Sequence, residues 1–168
     1  MFNKQTSFNK GSSRWLSSCF AIGVLCAIGV HAAQACAADD HMMMTANELK
    51  WAPSAALPAG AQIAVIEGPL SEPAPFIARV KFPANTKVPG HWHSAIEHVT
   101  VLSGVMHMGT GDKLDTSKTR AFGPGSVTIM QPGTRHFAWF GEETIIQLHG
   151  VGPWTVTYVD PADDPRKK

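Results

Sequence analysis

The sequence predicts an all-β chain, folded as a sandwich or a single barrel. Short apolar runs recur between residues 61 and 159. Turn residues separate them at close intervals, and no long helical period intervenes. No long internal repeat is visible, which leaves one barrel rather than two. With 168 residues the chain is long enough for one ordinary domain with its own core.

The expected strands follow one another from Gly60 onward. Ala61–Glu67 is short, apolar and bounded by Gly and Pro, and Phe76–Phe82 alternates from Ala78. His98–Leu102, Val105–Met108, Ser126–Gln131, His136–Phe140, Thr144–His149 and Trp154–Val159 repeat the pattern. Ser103-Gly104, Gly123-Pro124-Gly125, Pro132-Gly133, Gly141 and Gly150-Val151-Gly152-Pro153 supply the turns. The polar stretch Gly109–Gly123, with Asp112, Lys113, Asp115, Lys118 and Arg120, reads as a solvated loop between two halves of the sheet. Residues 38–60 read as a flexible N-terminal arm, 61–160 as the barrel and 161–168 as a tail without regular structure. Met42-Met43-Met44 in the arm could collect soft copper through thioethers, but no further Met-x-Met pattern supports that use.

The first 37 residues differ in kind. Lys4, Lys10 and Arg14 precede an apolar run, Cys19–Val30, and the small residues Ala35-Cys36-Ala37 close it. A basic start, apolar middle and Ala-x-Ala end predict a secretory signal peptide cut after Ala37, and so a periplasmic or secreted domain. An uncleaved anchor, or lipid attachment at Cys36, would instead tie the chain to a membrane. The whole chain carries a net charge of +1; removing three basic residues from 14 leaves 11 against 13 acidic ones, a net of −2. All three cysteines, Cys19, Cys26 and Cys36, fall in the leader, so the mature domain would be held by its core without disulfides. No basic run beyond the terminal lysines exists to track phosphates, which argues against nucleic acid as a partner. Gly-x-Ser-x-Gly does not occur, and no Gly-rich phosphate cradle opens a helix.

Chemistry concentrates at His91-Trp92-His93, Glu97 and His136. Histidines at i and i+2 of a strand share a face, and Glu97 keeps their parity if the strand continues or bends gently. Imidazoles with a carboxylate suit Fe, Mn, Ni, Cu or Zn. His98 has the opposite parity and is expected on the outer face. His107 faces opposite to Met106 and Met108, so its side depends on which way the methionines point. His149 shares parity with Gln147 and Ile145; it is the candidate proton carrier near a metal, against the alternative of a strand-end histidine. Phe140 should face inward with His136 and narrow the pocket, while Phe137 and Trp139 pack on the other side against a second sheet or a partner subunit. Trp154 reads as core and Arg135 as a solvent-facing turn residue.

Gly90–Glu97, with Gly104 seven positions past the glutamate, resembles the first cupin motif: His-x-His, three or four residues, Glu, six residues, Gly. Gly125, then five residues and Gln131-Pro132-Gly133-Thr134-Arg135-His136, resembles the second. Three positions depart from the pattern. Asn85 stands where a glycine is usual, Gln131 where a proline is usual, and Phe140 where an asparagine is usual. They bear on turn shape and pocket wall and remove no ligand. The run Gln147–Trp154 also looks like a group of small bacterial cupins.

The resemblance implies a single-domain jelly-roll β-barrel with His91, His93, Glu97 and His136 around one divalent metal ion. It favours Fe(II), with Mn(II) or Ni(II) behind; export leaves Cu(II) and Zn(II) in play. It further implies a homodimer and a small-molecule substrate, with a metal-dependent dioxygenase or related oxidoreductase as the first expectation. Two alternatives are kept: a non-catalytic cupin that binds or senses a small ligand, and a non-redox isomerase or decarboxylase.

Overall fold

The computed structural model describes residues 41–168. The expected leader, with Cys19, Cys26 and Cys36, lies outside the described residues. Among the described residues no helix is long and apolar enough to cross a membrane.

Among the described residues eleven strands are formed: β1 (Ala52–Pro53), β2 (Gln62–Glu67), β3 (Pro75–Phe82), β4 (Thr86–His93), β5 (Glu97–Ser103), β6 (Met106–Thr110), β7 (Arg120–Phe122), β8 (Val127–Met130), β9 (His136–Phe140), β10 (Thr144–Val151) and β11 (Val156–Tyr158). They make two antiparallel sheets, β1-β2-β3-β10-β5-β8 and β11-β4-β9-β6-β7. Period-two alternation builds the core between them. Phe76, Ala78, Val80 and Phe82 of β3 are buried, as are Ile146 and Leu148 of β10 and Val99 and Val101 of β5. Val88, Met106, Met108, Ala138 and Phe140 answer from the other sheet. Phe82 and Phe140 join the sheets by stacking at 4.1 Å and 9°; a fully buried aromatic of this kind contributes about 1.5–3 kcal/mol.

Strand β4 breaks the simple alternation. Thr86 and Val88 are buried, and so are His91 and His93, which have the other parity. The pairing with β9 explains this. Val88 faces Ala138 and His91 faces His136, so β4 spends one more residue than β9 over the same length. That is a β-bulge at Pro89-Gly90, and it turns both histidines into the barrel. Gly90 is required there: a Cβ at this position would fall on the carbonyl oxygen of Asp112.

Four expectations are corrected. The arm is not free of structure: Ala46–Glu48 forms a 3-10 turn, β1 pairs with β2, and Leu57 packs against the core. The tail holds two 3-10 turns, Pro161–Asp163 and Pro165–Lys167, because Asp160 and Asp164 accept from backbone N–H groups two residues on. Arg166 ties the second turn down by donating to the Val156 carbonyl at 3.0 Å. The polar loop is shorter than expected, since Arg120–Phe122 pairs with β6. Finally, Glu97 does not continue β4; it opens β5 in the opposite sheet.

Asn85 lies in the β3–β4 turn with φ at +65°. Asparagine tolerates this left-handed region better than most residues, so it fills the glycine's place without changing the turn. Asn85→Gly should leave the urea midpoint unchanged or slightly raised, whereas Asn85→Val should cost about 1–2 kcal/mol. Gly90→Ala should be more damaging than either in the same unfolding measurement, because backbone must move to admit the methyl group.

Candidate metal centre

The bulged strand β4, the first residue of β5 and the first residue of β9 meet inside the barrel. His91, His93, Glu97 and His136 are all buried there, with exposures between 2% and 6%. One nitrogen from each histidine lies within 4.8 Å of the others. The ring centroids of His91 stand 5.0 Å from those of His93 and 4.2 Å from those of His136.

Backbone carbonyls fix each ring. Nδ1 of His91 lies 2.8 Å from the Pro89 oxygen, Nδ1 of His93 lies 2.9 Å from that of Thr155, and Nδ1 of His136 lies 2.9 Å from that of Thr134. A carbonyl only accepts, so Nδ1 carries a hydrogen in all three, and Nε2 is the atom each neutral ring offers to a metal. The Glu97 carboxylate reaches two of these nitrogens, with Oε1 at 3.3 Å from His93 Nε2 and Oε2 at 3.5 Å from His136 Nε2. His93 Nε2 is buried without a hydrogen-bond partner.

Lone pairs on nitrogen and oxygen at such distances repel unless something positive lies between them. A proton or a metal cation can do this. Neutral imidazoles are the ligand form, and burial pushes the His91 imidazole down to about 3, with the nearby His136 and His93 acting in the same direction. Burial pushes the Glu97 carboxyl up, but its contacts with His136 and His93 outweigh this and hold it below the usual carboxylate range. Three imidazoles aimed by second bonds to carbonyls, plus a nearby carboxylate, fit a divalent transition metal.

The site forms one wall of a cavity with a water-accessible volume of about 50 Å³. Val80, Phe82, Val88, Val99, Met106, Met108, Ala138, Phe140, Ile146, Leu148 and Val156 line the rest, together with Leu57 and Trp154. Phe140 therefore narrows the pocket as expected. Trp154 was read as core, but it also belongs to the site: its ring stacks on His93 at 4.5 Å and 17°. The Gly-Pro turn before it gave no sign of this, because only the fold brings Trp154 over β4.

The other candidates lie elsewhere. His149 is not beside the centre. Leu148 takes the inward place on β10, so His149 points to the outer face, where it stacks on its cross-strand partner His98 at 4.8 Å and 13°. This corrects its assignment as a proton carrier, and it places His98 outside as expected. His107 is also outside, stacked on Trp139 at 3.9 Å, while Met106 and Met108 face the cavity. Trp139 donates to Thr119 at 3.1 Å, and Phe137 is covered by Gly109 and Gly111 of its own chain. Arg135 is exposed and pairs with Asp112 at 2.8 Å, away from the cavity.

The metal-stripped protein should be acid-sensitive. The unfolded chain protonates His91 near 6.5, whereas the folded chain resists until about 3, so falling pH favours unfolding across that window. Glu97 adds the same sign below its ordinary value of 4.5. Urea midpoints measured from pH 7.5 to pH 4 on chelator-treated protein should be level above 6.5 and fall below it. A level midpoint throughout would contradict the buried neutral imidazole.

No protein-family model matches the sequence, and no curated protein does. Solved structures do match its fold. RemF, a polyketide cyclase from Streptomyces resistomycificus, superposes with a TM-score of 0.63 at 17% identity, over 76% of this chain and 91% of its own. A candidate acetylacetone dioxygenase from Methylibium petroleiphilum PM1 gives 0.56 at 16% identity, over 74% and 85%. An RmlC-like cupin from Shewanella frigidimarina NCIMB 400 gives 0.52 at 12% identity, over 65% and 88%. With two facing antiparallel sheets and this likeness, the chain has the cupin fold, the double-stranded β-helix.

Proposed function

We propose that His91, His93, Glu97 and His136 hold one divalent metal ion, and that the protein is a metal-dependent oxygenase or related oxidoreductase for a small organic substrate. The observation that carries this reading is the set of three ring-fixed imidazoles beside a buried carboxylate, in a cavity otherwise walled by apolar side chains. Fe(II) is the metal proposed first, with Mn(II) or Ni(II) next and Zn(II) or Cu(II) after them. When bound, such a metal supplies Lewis acidity and, for iron, redox chemistry with dioxygen.

The chain's own part is to orient, to exclude water and to leave the metal accessible. The three carbonyl bonds hold the rings in place. The apolar wall keeps the site dry, which strengthens electrostatics within it. Apart from the four proposed ligands, no titratable side chain lines the cavity among the described residues. Isomerisation or decarboxylation aided by a protein acid or base is therefore less well supported than chemistry carried at the metal. The same absence gives weight to one other reading, a non-catalytic cupin that binds or senses a small ligand through its metal. The similar polyketide cyclase and candidate acetylacetone dioxygenase both point toward small-molecule substrates. The proposal includes export by the residue 1–37 leader and pairing as a homodimer, on the strength of the sequence pattern and the cupin resemblance.

Elemental analysis of protein purified without added metal tests the centre. About one iron, manganese or nickel per chain is expected, lost in His93→Ala and kept in His149→Ala. Zinc alone would favour a structural or hydrolytic role. Folded wild type devoid of metal, and unable to take it up, would overturn the proposal. On the iron form, dioxygen uptake with small β-diketones separates oxygenase from binding protein: ligand-induced stabilisation without uptake favours the latter.

A further inference from the structure

The cavity is partly open to solvent. Of all the residues that line it, only Leu57 and Trp154 keep partial solvent exposure; the rest are buried. A molecule travelling to the histidine nitrogens therefore passes these two side chains.

They are not equally able to yield. Trp154 is pressed flat on His93, its ring stands 6.0 Å from that of Phe76, and its backbone N–H donates to Leu70 at 2.7 Å. Leu57 sits on an irregular strap, residues 54–58, that follows β1 and belongs to no strand. The Leu57 N–H donates to the Ser54 carbonyl at 3.1 Å within the strap, the Ala61 N–H donates to the Pro58 carbonyl at 3.1 Å at its end, and the Tyr158 hydroxyl ties its middle to β11 by donating to the Ala56 carbonyl at 3.0 Å. Outside the strap lies a second hollow of about 410 Å³, lined by Lys87, Pro89, Asp163 and Lys168 among others. Leu57 is the one residue that lines both this hollow and the metal cavity.

We propose that Leu57 is the gate between an outer vestibule and the metal cavity, and that its side chain sets the size of ligand that reaches the metal; this rests on the metal reading above. With Leu57 seated, a water-accessible volume of about 50 Å³ suits a ligand of few heavy atoms. When the strap lifts, the two spaces join and a larger apolar-bodied molecule is admitted. The Tyr158 hydroxyl is the latch, because it links β11, next to His91, with the strap at Ala56.

Cobalt(II)-loaded protein provides the test, since its visible absorption reports coordination independently of turnover. The association rates of azide, a small probe, and 4-phenylimidazole, a large one, are measured by stopped flow in wild type, Leu57→Ala, Leu57→Trp and Tyr158→Phe. Leu57→Ala should speed the large probe about tenfold, with less effect on azide. Leu57→Trp should slow both probes. Tyr158→Phe should speed the large probe with Leu57 intact, which keeps the test decisive if Leu57→Ala unfolds. Cobalt bound by all variants with unchanged rates for both probes would overturn the gate and leave the metal centre standing. A wild type that binds no cobalt would overturn the metal reading and the gate with it.

Discussion

The bulge at Pro89-Gly90 is the constraint on which the site depends. Without its extra residue, the parity set by Thr86 and Val88 would send His91 and His93 to the outer face. The bulge is fixed from three sides. The Pro89 carbonyl accepts from His91 Nδ1, the Gly90 carbonyl accepts from the Val159 N–H at 2.8 Å, and the bare Cα of Gly90 lies against the Asp112 backbone. β4 thus gains a kink, and the links that hold it are backbone or ring nitrogen. The exposed Arg135–Asp112 pair links the turn before β9 to the loop after β6 that carries Asp112, but a surface pair of this kind contributes only about 0–1 kcal/mol. The missing Cβ matters more to that junction than the charge does.

The arrangement that orients the rings also makes them uncomfortable together. Three Nε2 lone pairs and a carboxylate share an apolar enclosure, and His93 Nε2 has no hydrogen-bond partner. Burial of unpaired polar groups is destabilising, so a cation at this point would add to folding stability as well as to chemistry. The carbonyls involved come from separated parts of the chain: Pro89 in the bulge, Thr134 in the turn before β9, and Thr155 just before β11. The ring of His93 is held by the sequence around Thr155, 62 residues away, and covered by Trp154 beside it. The final strand is thereby part of the centre although it contributes no candidate ligand.

Much of this was legible in the sequence, and the failures share a cause. The all-β class and most strands followed from period-two alternation, and the grouping of His91, His93, Glu97 and His136 as one ligand set followed from the cupin resemblance. Parity states which residues share a face but not which face is inside. His149 was placed near the centre on that uncertainty, and Leu148 occupies the inward position instead. Glu97 came to the right place by a different path from the one expected, as the start of a new strand in the opposite sheet. Trp154 and Leu57 carry no local signal, because each reaches the cavity from a loop whose course only tertiary packing determines. Asn85 is the converse case: as a departure from the glycine pattern it looked like a change of turn, yet its φ of +65° preserves the turn.

Trp154 and Leu57 both lie at the cavity wall. Donor sets of histidine and carboxylate fit several metals and reactions, so they cannot by themselves distinguish one cupin's chemistry from another's. What is particular to this chain is the wall: Phe140 in place of the usual asparagine, Met106 and Met108 from β6, Trp154 over His93, and Leu57 from the N-terminal strap. None of these carries a charge, and the Trp154 indole N–H is the one buried donor among them, without a hydrogen-bond partner. A substrate held here would find apolar contact for its body and polar contact at the histidine–glutamate cluster and at that N–H. Its recognition would then rest on the atoms it presents to the metal and on the space that Leu57 allows. The N-terminal strap, within the arm that the composition marks as flexible, thus becomes the part of the fold best placed to distinguish this protein from others with the same donors.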